Sequence, residues 1–383
     1  MGQMKLAPLL GSLVVIALFT SLAVYILLGY LESPRLSTVV LPGFSKVYSV
    51  VPLTNEVVAL GGVKLFNNSA PYGVVALYSL QNGSCEVLPP LLNYFKGGYV
   101  YALGFNGTDL LVGGDERING TLHTSLVDYN LETHEVVNLS AILSPFYSIG
   151  QVFSISWTGG YWLVGGDAYI IGFNGQPYIV PFLIEVEPKG FHDLSPRLPE
   201  PMRVLGGTSA IYSVSSYGGV SLIAGGNAVN MTASLFNGTN FTSVDFPYVH
   251  LGVLLTSTWW DGFPVLGGEN LSQPETPEPY LAEVVNNTAV PVSLEYKIGT
   301  VSAVAANGGE LYIALRTPFE TSNGMAFGTV ILETSNMKSF STVLTKAYTA
   351  VDDITPIGDK LIAVGYEFST ASNTYEGVML VLG

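Results

Sequence analysis

Apolar residues in this chain follow two alternating patterns. One is a short unbroken apolar run that ends in a glycine pair and is often followed by a small polar residue. It reads Val57-Val58-Ala59-Leu60-Gly61-Gly62, Leu110-Leu111-Val112-Gly113-Gly114-Asp115, Trp162-Leu163-Val164-Gly165-Gly166-Asp167, Leu222-Ile223-Ala224-Gly225-Gly226-Asn227 and Pro264-Val265-Leu266-Gly267-Gly268-Glu269. The other alternates apolar and polar residues, as in Tyr99–Gly104 and Thr124–Tyr129. Alternation of period two marks a strand with one buried face, and a short unbroken run suits a strand buried on both. Turn residues separate the two kinds, as in Asn106-Gly107-Thr108 and Asn130-Leu131-Glu132-Thr133.

Two degenerate copies follow, Leu311-Tyr312-Ile313-Ala314-Leu315-Arg316 and Leu361-Ile362-Ala363-Val364-Gly365-Tyr366. With Ala314 and Gly365 taken as equivalents of the first glycine, the copies recur every 42 to 60 residues. A strand-built repeat of that length is the signature of a β-propeller. In the second repeat, strands are predicted at Tyr99–Gly104, Asp109–Gly114, Thr124–Tyr129 and His134–Leu139. The last repeat supplies only Ala350–Ile354, Lys360–Gly365 and Gly377–Leu382. Leu36–Leu41, a lone β-rich segment, is expected to provide its missing outer strand and close a ring of seven blades, hiding a sheet edge. The glycine pairs fit places where sheets approach too closely for a Cβ atom. A phosphate loop is excluded, because no Lys-Ser/Thr follows and no helix begins there.

Residues 6–31 are uncharged and exceed the roughly 20 residues that cross a hydrocarbon core. They predict an N-terminal transmembrane helix, preceded by Lys5, with the N-terminus cytoplasmic and residues 32–383 outside. The alternative is a signal peptide cut near Ser21-Leu22-Ala23. As an anchor, the segment makes the lipid bilayer a partner and holds the ring close to the membrane surface. An exterior location also fits ten Asn-x-Ser/Thr sequons, at Asn67, Asn82, Asn106, Asn119, Asn138, Asn230, Asn237, Asn240, Asn270 and Asn286, among 21 asparagines. Four of these, Asn82, Asn106, Asn119 and Asn237, also read as Asn-Gly turns.

Charged residues make up only 11% of the chain, and the net charge is −15. Without a basic patch, nucleic acid is excluded as a partner. So few cations suit an acidic exterior, where protonated carboxylates leave little net positive self-repulsion. The single cysteine, Cys85, rules out an intramolecular disulfide and any cysteine metal cluster.

The run Leu111-Val112-Gly113-Gly114…Leu126-Val127-Asp128-Tyr129-Asn130-Leu131-Glu132-Thr133-His134-Glu135-Val136 resembles a kelch repeat, with Tyr78 and Phe236 at the same aromatic position. The tryptophan usual in the fourth strand of that family is replaced by Val136 or Val137. The resemblance implies an all-β, seven-bladed kelch-like propeller, following the transmembrane helix, that binds partners through loops on one face.

Candidate chemistry is sparse. Asp115, Asp167, Asn227 and Glu269 follow four consecutive glycine pairs, so pseudo-symmetry sets them in an arc at one height around the channel. They read either as a cation or polar-ligand site or as caps of their own turns. His123, His134, His192 and His250 share no paired spacing, so no metal site is expected, and no cofactor. Asp352-Asp353 on a strand should point to opposite faces. No Gly-x-Ser-x-Gly motif is present, and no catalytic residue is assigned. Trp157, Trp162, Trp259 and Trp260 read as packing residues or a sugar-stacking platform. The segments 63–73, 115–121, 167–178, 270–279 and 317–328 are expected as loops clustered on one face. The function these features suggest is binding or structural, at the surface of an archaeal-type cell, with a protein or glycan partner. The alternative is an exported hydrolase acting on glycans or peptides at the loop face.

Overall fold

The computed structural model describes residues 36–383 except 67–69, 144–146, 173–174, 188–189, 204–208, 227–228, 274, 322–323 and 370–371. The apolar segment 6–31 lies outside the described residues. Among the described residues no helix is long and apolar enough to cross a membrane.

The described residues form seven four-stranded antiparallel sheets. Six are built from consecutive strands, innermost first. The seventh draws on both ends of the chain. Leu36–Val40 pairs with Thr374–Leu382, from Leu36 opposite Leu382 to Val40 opposite Val378, as the sequence predicts. The innermost strands are Lys46–Pro52, Val100–Phe105, Gly150–Trp157, Ala210–Tyr217, Gly252–Trp260, Thr300–Asn307 and Thr349–Ile357. Each packs on the next and the last packs on the first, so the ring is closed. The architecture is a seven-bladed, all-β propeller.

The core sits between blades. Seven clusters of buried apolar side chains fill the seven wedges between neighbouring sheets. This is why the second strand of each blade is apolar throughout. In blade 2, Leu110 and Val112 enter the wedge toward blade 1, and Leu111 enters the wedge toward blade 3.

Every innermost strand breaks register by one residue at the same place, leaving Tyr48, Tyr101, Phe153, Tyr212, Leu255, Ser302 and Asp352 as the extra residues of seven β-bulges. In blades 1, 2, 3 and 5 a glycine pair faces the bulge. A Cβ on Gly114 would strike the Tyr99 carbonyl, and the second glycine of most other blades meets the corresponding carbonyl. A Cβ on the first glycine would strike the next blade instead: on Gly61 it would lie 2.8 Å from Val100 Cγ1, and on Gly165 2.6 Å from Ile211 Cγ2.

The bulge register corrects two assignments. The pair in blade 4 is Ala224-Gly225 and in blade 7 Val364-Gly365, because Gly225 and Gly365 are the residues that meet the carbonyls of Ala210 and Ala350. Three expected loops are also paired strand. Residues 115–121, 167–178 and 317–328 continue their hairpins as far as the pairs Ile118 with Thr121, Ile171 with Pro177 and Thr321 with Gly324.

After each bulge, a small polar side chain on alternate blades accepts a backbone N–H from the next blade. Ser49 Oγ accepts Leu103 N (3.3 Å), Ser154 Oγ accepts Val214 N (2.8 Å), and Thr256 Oγ1 accepts Val304 N (3.2 Å). Asp353 Oδ2 closes the ring by accepting Val50 N at 2.9 Å.

Gly114→Ala is expected to cost about 3 kcal/mol or more by overpacking, whereas Gly160→Ala, with open space at its Cβ, leaves stability nearly unchanged. Chemical denaturation measures both. Deleting residues 36–40 bares the edge of Thr374–Leu382 and should lower the melting temperature by at least 5 °C, with concentration-dependent aggregation.

Candidate functional site at the channel mouth

The seven bulge residues point inward and line a central cavity of about 320 Å³. The ring they form is chemically lopsided. Tyr48, Tyr101, Phe153 and Tyr212 make a continuous aromatic arc over blades 1 to 4, with successive centroids 5.3, 5.4 and 5.2 Å apart. Leu255, Ser302 and Asp352 complete it. Asp352 and Asp353 both line this cavity, contrary to the alternation expected of a strand, because the bulge sits between them and their neighbour Val351.

The residue after the second glycine position sits one layer beyond the bulge. In the corrected register this layer holds Val63, Asp115, Asp167, Gly226, Glu269, Arg316 and Tyr366. Asp115, Asp167 and Glu269 therefore share a level, as the repeat predicts. Asn227 lies one position further along and outside the described residues. Arg316 stands at this position in the sequence repeat as well, although the expected arc stops at Glu269, and Tyr366 joins the level because Gly365 is the second position of its pair and not the first.

The side chains of this level are held mainly by hydrogen bonds within and between blades. Asp115 is fully buried. Its Oδ1 accepts Tyr99 N of its own blade (3.0 Å), and its Oδ2 accepts Gln151 Nε2 of the next (2.8 Å). Gln151 Nε2 also donates to the Tyr101 hydroxyl at 3.1 Å. Thr300 Oγ1 of blade 6 donates to Glu269 Oε2 at 2.7 Å. Asp167, only 7% exposed, receives the Gln151 backbone N–H, while its Oδ1 has no partner. Arg316 pairs with Asp352 of blade 7, and its Nε donates to the Val351 carbonyl at 3.3 Å.

Burial dominates the electrostatics. It raises Asp115 to about 6, against the hydrogen bonds from Gln151, Tyr99 and Tyr101. It raises Asp167 to about 7, with the nearby charge of Asp115 adding to the effect. Asp353 also rises to about 7 by burial, although Val50 and Ile354 donate to it. Desolvation lowers Arg316 and, together with repulsion from Arg316, lowers Lys46.

Other candidates lie apart. Trp259 and Trp260 donate their indole N–H groups to the carbonyls of Ser215 and Gly309, tying blade 5 to its two neighbours. Trp157 and Trp162, with centroids 4.9 Å apart, line a cavity of about 350 Å³ between blades 2 and 3, beside Asp109 and Asp128. The strand pairing brings Glu185, Glu187 and His192 within 4.8 Å at an exposed edge of blade 3, a cross-strand grouping that histidine spacing alone does not reveal. Burial raises the thiol of Cys85. Asn82, Asn119, Asn138, Asn230, Asn237, Asn240 and Asn286 are exposed, Asn106 and Asn270 are half-buried, and Asn67 lies outside the described residues. Several of these, including Asn138 and Asn270, accept the N–H two residues on in Asx turns.

No family model and no curated protein sequence matches the chain. Solved structures match in fold. Acylaminoacyl peptidase from Pyrococcus horikoshii is 12% identical with a TM-score of 0.51, over 84% of this chain and 51% of that one. A prolyl endopeptidase is 12% identical with a TM-score of 0.51, over 91% and 50%. The β-propeller domain of the trilobed protease from Pyrococcus furiosus, described as having an open velcro topology, is 9% identical with a TM-score of 0.52, over 87% and 94%. The present chain thus spans about half the length of the first two, and its own ring is closed by Leu36–Val40.

Raised carboxylates bind protons more tightly folded than unfolded. They therefore stabilise the fold below the usual carboxylate range, and that stabilisation is lost as pH rises through their folded values. Every shifted carboxylate among the described residues is shifted up. The melting temperature is expected to rise by several degrees from pH 8 to pH 4. Asp167→Asn should be at least as stable as the parent at pH 8 and should show a smaller rise. Calorimetry across this range measures both, and a fall in stability toward pH 4 would contradict the electrostatic account.

Proposed function

We propose that this chain is the peptide-receiving propeller of an exported, peptide-acting hydrolase activity, with peptide entering at the mouth of the central channel. The observation that carries the reading is the lopsided bulge ring. An aromatic arc facing Ser302 and Asp352 offers apolar surface and hydrogen-bonding groups across one cavity, which is what a peptide presents in turn. The fold likeness to acylaminoacyl peptidase, prolyl endopeptidase and the trilobed protease propeller supports peptide as the substrate class. Buried carboxylates that titrate near 6 to 7 lie in the range suited to proton transfer.

A second reading, a surface propeller that only binds or scaffolds, is favoured by one specific observation. Both oxygens of Asp115 and of Asp353 accept hydrogen bonds, one of each pair coming from a neighbouring blade. In either reading the repeats are kelch-like, residues 6–31 are the membrane anchor, and exposed sequons carry glycan on the outer side. Asn106 and Asn270 are the exceptions, because their Nδ2 groups already donate to Asp109 Oδ2 at 3.0 Å and to Glu278 Oε2 at 3.3 Å.

The test incubates the purified full-length chain with a defined peptide mixture and follows retention and cleavage by mass spectrometry. Retention is expected to fall at least tenfold in Leu255→Trp, which fills the channel at a position where four other blades already place an aromatic residue. Equal retention by parent and variant removes the channel from the reading. New peptide termini that persist after repurification assign hydrolysis to this chain, and retention without cleavage selects the binding role. Glycopeptide mapping of native protein should find Asn106 and Asn270 unmodified.

A further inference from the structure

We infer that the blade 6–blade 7 side of the channel mouth is a carboxylate site with an apolar pocket, built to hold the C-terminal end of a peptide that finishes in an aromatic or long aliphatic residue. The inference rests on the peptide reading above and deepens it by naming the end that is held.

The first observation is an unusual meeting of cations. The chain has only 14 Lys and Arg against 29 Asp and Glu, yet Lys46 and Arg316 stand close enough to repel. Lys46 comes from blade 1 and lies half-buried. Its Nζ sits 4.2 Å from the ring centroid of Tyr366 and 4.5 Å from that of Tyr375, both in blade 7. Among the described residues no carboxylate lies within salt-bridge distance of it. A cation–π contact offsets part of the loss of water but leaves the ammonium donors unused. Arg316 reaches the same place from blade 6. One N–H group meets Asp352 and another the Val351 carbonyl, and its side chain remains 33% exposed. A guanidinium has five N–H donors, so donors remain for a second acceptor.

The second observation is the cavity beside them. A hollow of about 460 Å³ is walled by Arg316, Met325, Phe327, Tyr348, Tyr366 and Phe368. Met325 and Phe327, on the long hairpin of blade 6, are 70% and 68% exposed, a large apolar surface for a hairpin tip in water. Arg316 in the wall of an apolar hollow, with Lys46 against the ring of its wall residue Tyr366, fits a single anionic head on an apolar body. A free phosphate would leave the aromatic walls unused, and a neutral sugar would leave the two cations without an anion. A peptide C-terminus places its carboxylate and its last side chain on the same carbon, which matches a cationic floor adjoining an apolar wall.

The experiment is calorimetric titration of the full chain with acetyl-Ala-Ala-Phe as the free acid, with the same peptide as its C-terminal amide, and with decanoate. The free acid is expected to bind at least tenfold tighter than the amide and than decanoate. Lys46→Met keeps an apolar stem over both rings and should weaken the acid at least tenfold while leaving the amide unchanged. Phe327→Ser, at an exposed position, should weaken the acid severalfold with the melting temperature unchanged. Equal binding of acid and amide, or an acid affinity untouched by both variants, overturns the site. If that binding is still lost in Leu255→Trp, the channel reading survives the failure. Tighter binding of decanoate than of the peptide acid overturns the peptide end in favour of a fatty-acid site. No binding of any of the three overturns the site and, with no retention from the peptide mixture, the peptide reading as well.

Discussion

The structure depends on one close contact repeated around the ring. At the inner end of each blade the second strand runs against a bulged first strand so tightly that, in six blades, a carbonyl occupies the space a Cβ would need. The bulge and the glycine require each other. The extra residue turns the inner strand so that one side chain per blade faces the axis, and the missing Cβ lets the second strand follow that turn. The next blade then inserts an aliphatic side chain, such as Val152 or Ile211, against the first glycine position. Packing within a sheet and packing between sheets are thereby set by two adjacent residues.

Blade 6 shows how far the rule stretches. It keeps the bulge at Ser302 but has Ala314-Leu315 in place of glycines. Its post-pair residue is Arg316 rather than a carboxylate. The departure from the repeat coincides with the cationic side of the ring, where a long hairpin rises beside a cavity of about 460 Å³. At the same level Asp115 and Glu269 accept hydrogen bonds from the next blade. Specialisation of the ring is thus concentrated where the packing rule is broken.

Much of the fold was readable from the chain. Seven apolar runs, their spacing, and the lone segment Leu36–Leu41 were enough to set blade number and ring closure, because burial on both faces leaves an unmistakable unbroken pattern. The channel lining was not read, for a definite reason. Sequence alternation assigns residues i and i+2 to one face, and a bulge breaks that parity. The signal was nevertheless present as an aliphatic–variable–small triplet, seen in Val47-Tyr48-Ser49, Val100-Tyr101-Ala102, Val152-Phe153-Ser154 and Ile211-Tyr212-Ser213. Aligning glycines by their letters instead of by the carbonyl they meet displaced blades 4 and 7 by one position. That slip introduced Asn227 and hid Tyr366. The meeting of Lys46 with Tyr366 depends on blades distant in sequence, and no spacing rule reaches it.

The closing sheet has a mechanical meaning. Leu36 stands directly opposite Leu382 on the rim. Anything joined to the chain before the first strand or after the last leaves the disc from a single point on its circumference. A disc held at one point on its rim keeps its attachment away from the central cavity. Tension on that attachment loads a ladder of only five residue pairs, so the seam that completes the ring is also the place where a pull would begin to open it.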